Sequence, residues 1–168
     1  MEMKKLMVQY AQFGTVAGIF LRPGRRKPVN KASTTMAIAG QGLEGDRYRA
    51  SGTRQVTLIQ AEHIPVICSF LGKESVDPGA LRRNIIARGI NLLALKGKKF
   101  RMGSALLEYS GECHPCSRME ETLGRGGYNA MRGHGGILAR ILETGRINVG
   151  DAIIVIDAEA PETSKTIG

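Results

Sequence analysis

The sequence predicts a mainly β protein, a closed barrel or strongly bent sheet with a few short helices, and three observations carry that expectation. Short β-prone runs recur along most of the chain, glycine-rich turns separate them, and only two stretches have helical spacing. At 168 residues the chain is long enough to bury one ordinary core without disulfide or metal staples. Residues 1–157 are expected to form a single domain and residues 158–168 a loose polar tail.

Taken in order, Leu6 to Phe13 and Thr15 to Leu21 are β-prone runs split by Gly14. Pro23 to Lys31 is a surface loop by its proline, glycine and basic content. Gly40, Gly42 and Gly45 bracket Glu44 and Asp46 in a tight turn region that holds acidic groups near backbone donors. Arg54 to Gln60 sets Val56 and Leu58 against Gln55 and Thr57, the alternation of a half-buried strand. Ala61 to Leu71 has helical spacing, with Pro65 confined to the first turn. Strands follow at Arg83 to Ala87, Asn91 to Leu95, Lys99 to Met102 and Ala105 to Tyr109. The second helix is Ser117 to Leu123, stopped by Gly124. Ile137 to Leu142, a turn at Glu143 to Arg146, Ile147 to Val149 and Ala152 to Ile156 complete the set.

The net charge of +9 and pI near 9.8 would suit a nucleic-acid partner. Against this, the cations are spread from Arg22, Arg25 and Arg26 through Arg82 and Arg83 to Lys98 and Lys99, and no recognition motif is visible. There is no Trp, and the 5% aromatic content leaves few platforms on which bases could stack. Nucleic acid is therefore not the expected partner, and a basic barrel that binds RNA or DNA is the non-enzymatic alternative. No signal peptide or membrane span is expected. Three cysteines, an odd number, fit free thiols in a cytoplasmic protein.

Soft-ligand and anion chemistry converge on Cys113-His114-Pro115-Cys116-Ser117-Arg118 and the glycine-rich stretch after it, which carries Arg125, Arg132 and His134. Cys116 falls at the expected helix start, where unpaired N–H groups favour an anion, and Arg118 adds a fixed cation. Cys113 and Cys68 read as small buried hydrophobes. A thioredoxin-like exchanger would place its C-x-x-C pair early in a βαβ pattern, and a zinc site would have to recruit His63 and Cys68. Glycines let backbone N–H groups approach an anion, so the loop with Arg132 and His134 is expected to form half of a binding site. Arg54 and the Arg82-Arg83-Asn84 run are expected to supply the other half. Asp46 and Glu62 are candidates to orient those arginines.

Five motifs in order resemble those of the MOSC domain, the module at the C-terminus of molybdenum cofactor sulfurases. They are Gly42-Leu43-Glu44-Gly45-Asp46-Arg47, Arg54-Gln55-Val56-Thr57-Leu58 with Glu62, Arg82-Arg83-Asn84 with Gly89, Pro115-Cys116-Ser117-Arg118, and Gly145-Arg146-Ile147-Asn148-Val149-Gly150-Asp151. The resemblance implies a MOSC-type β-barrel, association with the molybdenum cofactor, and a key cysteine matching Cys116 that carries sulfur as a persulfide or ligates molybdenum. Arg54, Arg83, Asn84, Arg118, Arg132 and His134 are then the expected cofactor-binding residues. Met119 follows Arg118 where some relatives carry a second cysteine. The chain has no room for a pyridoxal-phosphate desulfurase domain, so a separate cysteine desulfurase is the implied sulfur donor, with a molybdoenzyme or the cofactor as acceptor. The alternative enzyme is a molybdenum-dependent reductase of N-hydroxylated compounds that draws electrons from a separate reductase.

Overall fold

The computed structural model describes residues 2–47, 52–159 and 161–162. The predicted loose tail lies largely outside the described residues, at 160 and from 163 onward.

Strands are numbered in chain order. Seven close on themselves in the order β11 (Ala152–Val155), β7 (Lys99–Met102), β8 (Ala105–Glu112), β9 (Ile137–Glu143), β5 (Val56–Gln60), β6 (Ile85–Arg88) and β1 (Gly14–Leu21). Pairing of β1 with β11, Gly14 opposite Ile153, shuts the barrel. Gly14 has to be glycine, because a Cβ there would run into the side chain of Ile90. A short β2 (Asn30–Ala32) extends β1, and β10 (Gly145–Asn148), β3 (Thr34–Ile38) and β4 (Gly42–Leu43) form a separate three-stranded sheet.

All barrel pairs are antiparallel except β5 with β6, where Leu58 sits opposite Ile85. A parallel pair cannot be joined by a hairpin and needs a long crossover. Residues 61–84 provide it, through a 3-10 turn Ala61–His63, helix α2 (Ile64–Leu71) and a second 3-10 turn Pro78–Leu81. Two further helices, α3 (Ser117–Leu123) and α4 (Gly127–Met131), join α2 on the outside of the barrel. Strands β1, β5 and β6 consequently bury both faces, since successive strand side chains point to opposite sides. Val16, Ile19, Val56, Leu58 and Ile85 fill the barrel interior with Phe100 and Leu107. Phe20, Ile59 and Ile86 face outward under Ile67, Met119 and Leu123 of the helices.

The predicted strand at Leu6 to Phe13 is a correction. A one-turn helix α1 (Met3–Leu6) precedes chain without a strand ladder, touched by one bridge from Gln9 to Glu159. Its apolar residues were the misleading signal; Leu6, Met7 and Phe13 are exposed and fill no core position. Asn91 to Leu95 is a 3-10 turn rather than a strand, because the Asn91 side chain accepts a hydrogen bond from Leu93 N at 3.1 Å and caps it. Strand β3 forms where no strand was expected, and the Glu143 to Arg146 turn shrinks to Thr144 between β9 and β10. Among the described residues, no helix is long and apolar enough to cross a membrane.

One buried polar network ties the strand ends together. Arg22, just past β1, makes a bidentate pair with Asp46: Nε to Oδ1 is 3.1 Å and Nη2 to Oδ2 is 3.0 Å. Asp46 Oδ1 also accepts from the Arg22 backbone N at 2.7 Å and from Asn84 Nδ2 at 3.1 Å. Asn84 Oδ1 accepts from Arg22 Nη2 and from Thr57 N, while Asn84 N donates to Thr57 Oγ1 at 2.9 Å. A buried pair whose partner is removed leaves an uncompensated charge. Asp46→Ala is therefore expected to cost about 3–5 kcal/mol of stability, read as a lower denaturant midpoint with little change in slope.

Candidate functional site

Cys116 is the N-cap of α3, with extended backbone angles of φ −125° and ψ −178°. Its carbonyl accepts from Met119 N at 2.9 Å, whereas its side chain makes no capping bond, so the sulfur is not committed to the helix. The helix is held from several sides. Met119 and Leu123 are buried against the barrel, Thr122 Oγ1 donates to Ala80 O at 3.0 Å, and Lys73 Nζ donates to Leu123 O at 3.0 Å at the C-terminal end. Glu120 accepts from Tyr128 N at 2.9 Å and Gly126 N at 2.7 Å, tying α3 to the start of α4. Those two backbone donors, Tyr128 first, hold its carboxyl below the ordinary glutamate range.

The sulfur borders a cavity of about 410 Å³ between the start of α3, the loop after β1, the turn before β6 and the lead-in to β5. Among the described residues, eight arginines line it against a single carboxylate, Glu121. Glu121 Oε2 lies 3.3 Å from Arg118 Nη1 and 3.7 Å from Arg26 Nη1, so one acid bridges two walls. The loop is fixed from below by Arg82, whose Nη1 donates to Lys27 O at 2.7 Å. Arg26 and Arg82 have left-handed backbones, with φ of 60° and 54°. Non-glycine residues in that region carry strain of order 1 kcal/mol, and such strain gathers at functional sites.

Arg83 is 6% exposed. Its Nε donates to Gly135 O at 2.7 Å and its Nη1 to Leu81 O at 3.2 Å, but its buried Nη2 has no partner. Burial pulls this guanidinium below its ordinary range, Cys113 opposes that, Arg54 and Arg22 reinforce it, and Cys116 opposes it again. Both sulfurs are thus within electrostatic reach of Arg83.

Cys116, Arg54, Arg83 and Arg118, predicted from sequence, line one cavity. Asn84 is not on its wall; it is fully buried, in the network with Arg22, Asp46 and Thr57. Arg132 and His134 are also absent from the lining, which corrects the expected glycine-loop cradle. Gly127, Gly135 and Gly136 in that segment are packed against other backbone, while Gly124, Gly126 and Gly133 have open space around them. A Cβ on Gly135 would overlap the Cys113 carbonyl, and one on Gly136, at φ +90°, would overlap the Leu58 carbonyl. Gly127 lies inside α4, and Arg132 is exposed beyond its end. His134 turns instead to His63, Nδ1 to Nδ1 3.2 Å, with Phe70 against it. Burial first, and His134 second, push the His63 imidazole below its usual range. Glu62 bonds Gln60 Nε2 and Gly89 N rather than an arginine of the cavity.

Arg82, from the expected Arg82-Arg83-Asn84 run, lines the cavity too, and Arg22, Arg25, Arg26 and Arg47 join it without having been expected there. The run Arg22-Pro23-Gly24-Arg25-Arg26-Lys27 directly after an apolar strand was the available signal. Among the described residues, no group of three or more His, Cys, Asp or Glu gathers as a metal cluster; Cys68 and Cys113 are buried, at 6% and 2% exposure.

A family model described as MOSC domain matches residues 40–154. Comparison with curated proteins gives no significant match. Among solved structures, YuaD from Bacillus subtilis is similar at 19% identity and a TM-score of 0.74, over 86% of this chain and 96% of that one. YiiM from Geobacillus stearothermophilus is similar at 18% identity and a TM-score of 0.68, over 86% of this chain and 75% of that one. YiiM from Escherichia coli, also at 18%, has a TM-score of 0.66 over 88% of this chain and 71% of that one. At these identities the likeness is one of fold.

Because Cys116 is exposed and the other two cysteines are buried, a thiol-alkylating reagent is expected to label Cys116 alone in the folded protein and all three after denaturation. Mass mapping checks this, and labelling of Cys113 ahead of Cys116 would contradict the placement. Glu120→Gln is expected to lower stability at neutral pH. A depressed carboxyl stabilises above its unfolded value of 4.5 and loses that contribution as pH falls through the folded value. The gap between wild type and variant in thermal melts should therefore narrow below about pH 4.5.

Proposed function

This chain belongs to the MOSC domain family, and on that premise we propose that it works with the molybdenum cofactor, with Cys116 carrying sulfur as a persulfide. The observation that carries this reading is Arg83 Nη2, a buried guanidinium nitrogen with no partner, on the wall that also holds Cys116. An unmet buried donor costs about 1–3 kcal/mol, more when charged. An anionic ligand removes that cost.

MOSC domains are associated with the molybdenum cofactor, and the residues here fit such a group. Guanidinium forks match phosphate and oxo groups, one soft sulfur suits molybdenum or a sulfane sulfur, and about 410 Å³ is in the range of small-ligand sites. Arg83, Arg118 and Arg54 would hold the anionic groups, and Cys116 would supply the sulfur from the same cavity. When bound, the cofactor supplies the metal centre that accepts sulfur or exchanges an oxo group. The protein's own part is to gather the anion, neutralise it and keep the sulfur accessible. Asp46 fixes Arg22 for that task, and Glu121 steadies Arg118 and Arg26.

A second reading, with Cys116 bound directly to molybdenum, is favoured by a cavity larger than a persulfide alone requires. It would accommodate reduction of N-hydroxylated compounds with electrons from a separate reductase. In the carrier reading, a cysteine desulfurase with its own pyridoxal phosphate is the protein donor, a molybdoenzyme or the cofactor is the acceptor, and the setting is cytoplasmic.

Metal analysis and intact mass of protein from a cofactor-competent host test both. Cys116→Ser is expected to abolish bound molybdenum and any sulfur adduct, and Arg83→Gln to weaken loading by about tenfold or more. A sulfur adduct without molybdenum supports the carrier; molybdenum lost with Cys116 and no adduct supports the ligand. Wild-type loading in Cys116→Ser would overturn the assignment.

A further inference from the structure

A persulfide on Cys116 needs a sulfur donor, and the chemistry of the cavity selects one. We propose that Cys116 takes sulfane sulfur directly from inorganic thiosulfate, making the protein a thiosulfate sulfurtransferase; this rests on the persulfide reading above.

Charge is the first reason. A thiolate and thiosulfate are both anions and repel each other, so their reaction in water is opposed electrostatically. Here Cys116 stands on a wall that, among the described residues, gathers eight arginines, of which Arg22 is paired with Asp46 and Arg118 and Arg26 share Glu121. Such a field concentrates a small dianion beside the sulfur and cancels the repulsion along the line of attack.

The leaving group is the second reason. Among the described residues lining the cavity there is no His, Lys or Tyr to hand over a proton, and arginine does not give one up. A departing group must leave as an anion and be stabilised by hydrogen bonds alone. Sulfite, a weak base with three oxygens, meets that condition.

The third reason is Arg83. Its Nε and Nη1 are held by Gly135 O and Leu81 O, so the guanidinium is fixed in the cavity wall while its buried Nη2 has no partner. A sulfonate oxygen supplies the missing acceptor. Its hold strengthens as the sulfonate gains charge on becoming sulfite, which makes the contact tighter during transfer than before it.

The step balances without an added oxidant, reductant or proton. The Cys116 thiolate attacks the sulfane sulfur, a new S–S bond forms, the S–S bond of thiosulfate breaks, and its electron pair leaves on sulfite. Cys116 is left as the persulfide anion with the total charge unchanged. Cyanide then takes the sulfane sulfur as thiocyanate and restores the thiolate, which provides the assay.

Purified full-length protein is incubated with thiosulfate and, in a parallel arm, with inorganic polysulfide; intact mass and peptide mapping read the adduct, and thiocyanate release reads turnover with cyanide. The expected result is one added sulfur on Cys116 and turnover that saturates with thiosulfate, with KM rising as salt is added. Cys116→Ser should show neither. Arg118→Gln, a change at the cavity rim that leaves the buried network intact, should raise KM for thiosulfate about tenfold while keeping the wild-type melting temperature. Loading of Cys116 by polysulfide but not by thiosulfate overturns the donor assignment and leaves the persulfide reading standing. Loading by neither overturns the thiosulfate assignment, and thiosulfate-dependent turnover that survives in Cys116→Ser overturns both it and the role of Cys116.

Discussion

The Arg22–Asp46 pair, locked to Asn84 and Thr57, is the constraint on which the rest of the structure depends. It joins the end of β1, the turn after β4, the start of β5 and the lead-in to β6, four segments distant in sequence. The polar groups in this knot are matched to one another, so any slip of β6 against β5 would leave several of them buried and unpaired. Such pairs contribute more to choosing one arrangement than to net stability. What they choose here is the register that places Arg82 and Arg83 beside the loop after β1. Arg22 Nη1 reaches Arg82 O at 3.4 Å, and Arg83 stands immediately before Asn84.

The cavity inherits its character from that placement. Bringing many guanidiniums together is unfavourable without counter-charge, and two carboxylates oppose it at this site. Asp46 is committed to Arg22, and Glu121 bridges Arg118 and Arg26 across the opening. Two of the arginines are held in strained left-handed backbones, and a third has a buried nitrogen with no partner. Each of these runs against stability, and all of them line the cavity that also holds Cys116. A surface evolved for folding alone would disperse them, which is the physical ground for proposing a ligand there.

Much of this was legible in the residues. Alternation at Val56 to Gln60 marks a strand because one face meets the barrel interior and the other meets the helices. Ser117 to Leu123 is a helix with Cys116 at its head, as the step from Pro115 to Gly124 suggested. Other signals were read wrongly for specific reasons. Leu6 to Phe13 is apolar yet exposed, so composition there does not report burial. Asn91 to Leu95 is apolar, but a single side-chain cap turns it into a 3-10 turn. The glycines from 124 to 136 resemble a loose loop in sequence, whereas Gly127, Gly135 and Gly136 are small because other backbone lies against them. Flexibility and tight packing call for the same residue.

The sequence alone determined the β-rich class, the positions of most barrel strands and the head of α3 at Cys116. These follow from local periodicity and capping, which depend on neighbours a few residues away. Only the tertiary structure decided which cations meet that sulfur. Arg22, Arg25 and Arg26 line its cavity, while Arg132 and His134 lie outside it, because barrel closure and the Asp46–Asn84 network set distances between segments that lie far apart along the chain. Charge in a sequence is a quantity; its direction is fixed by packing.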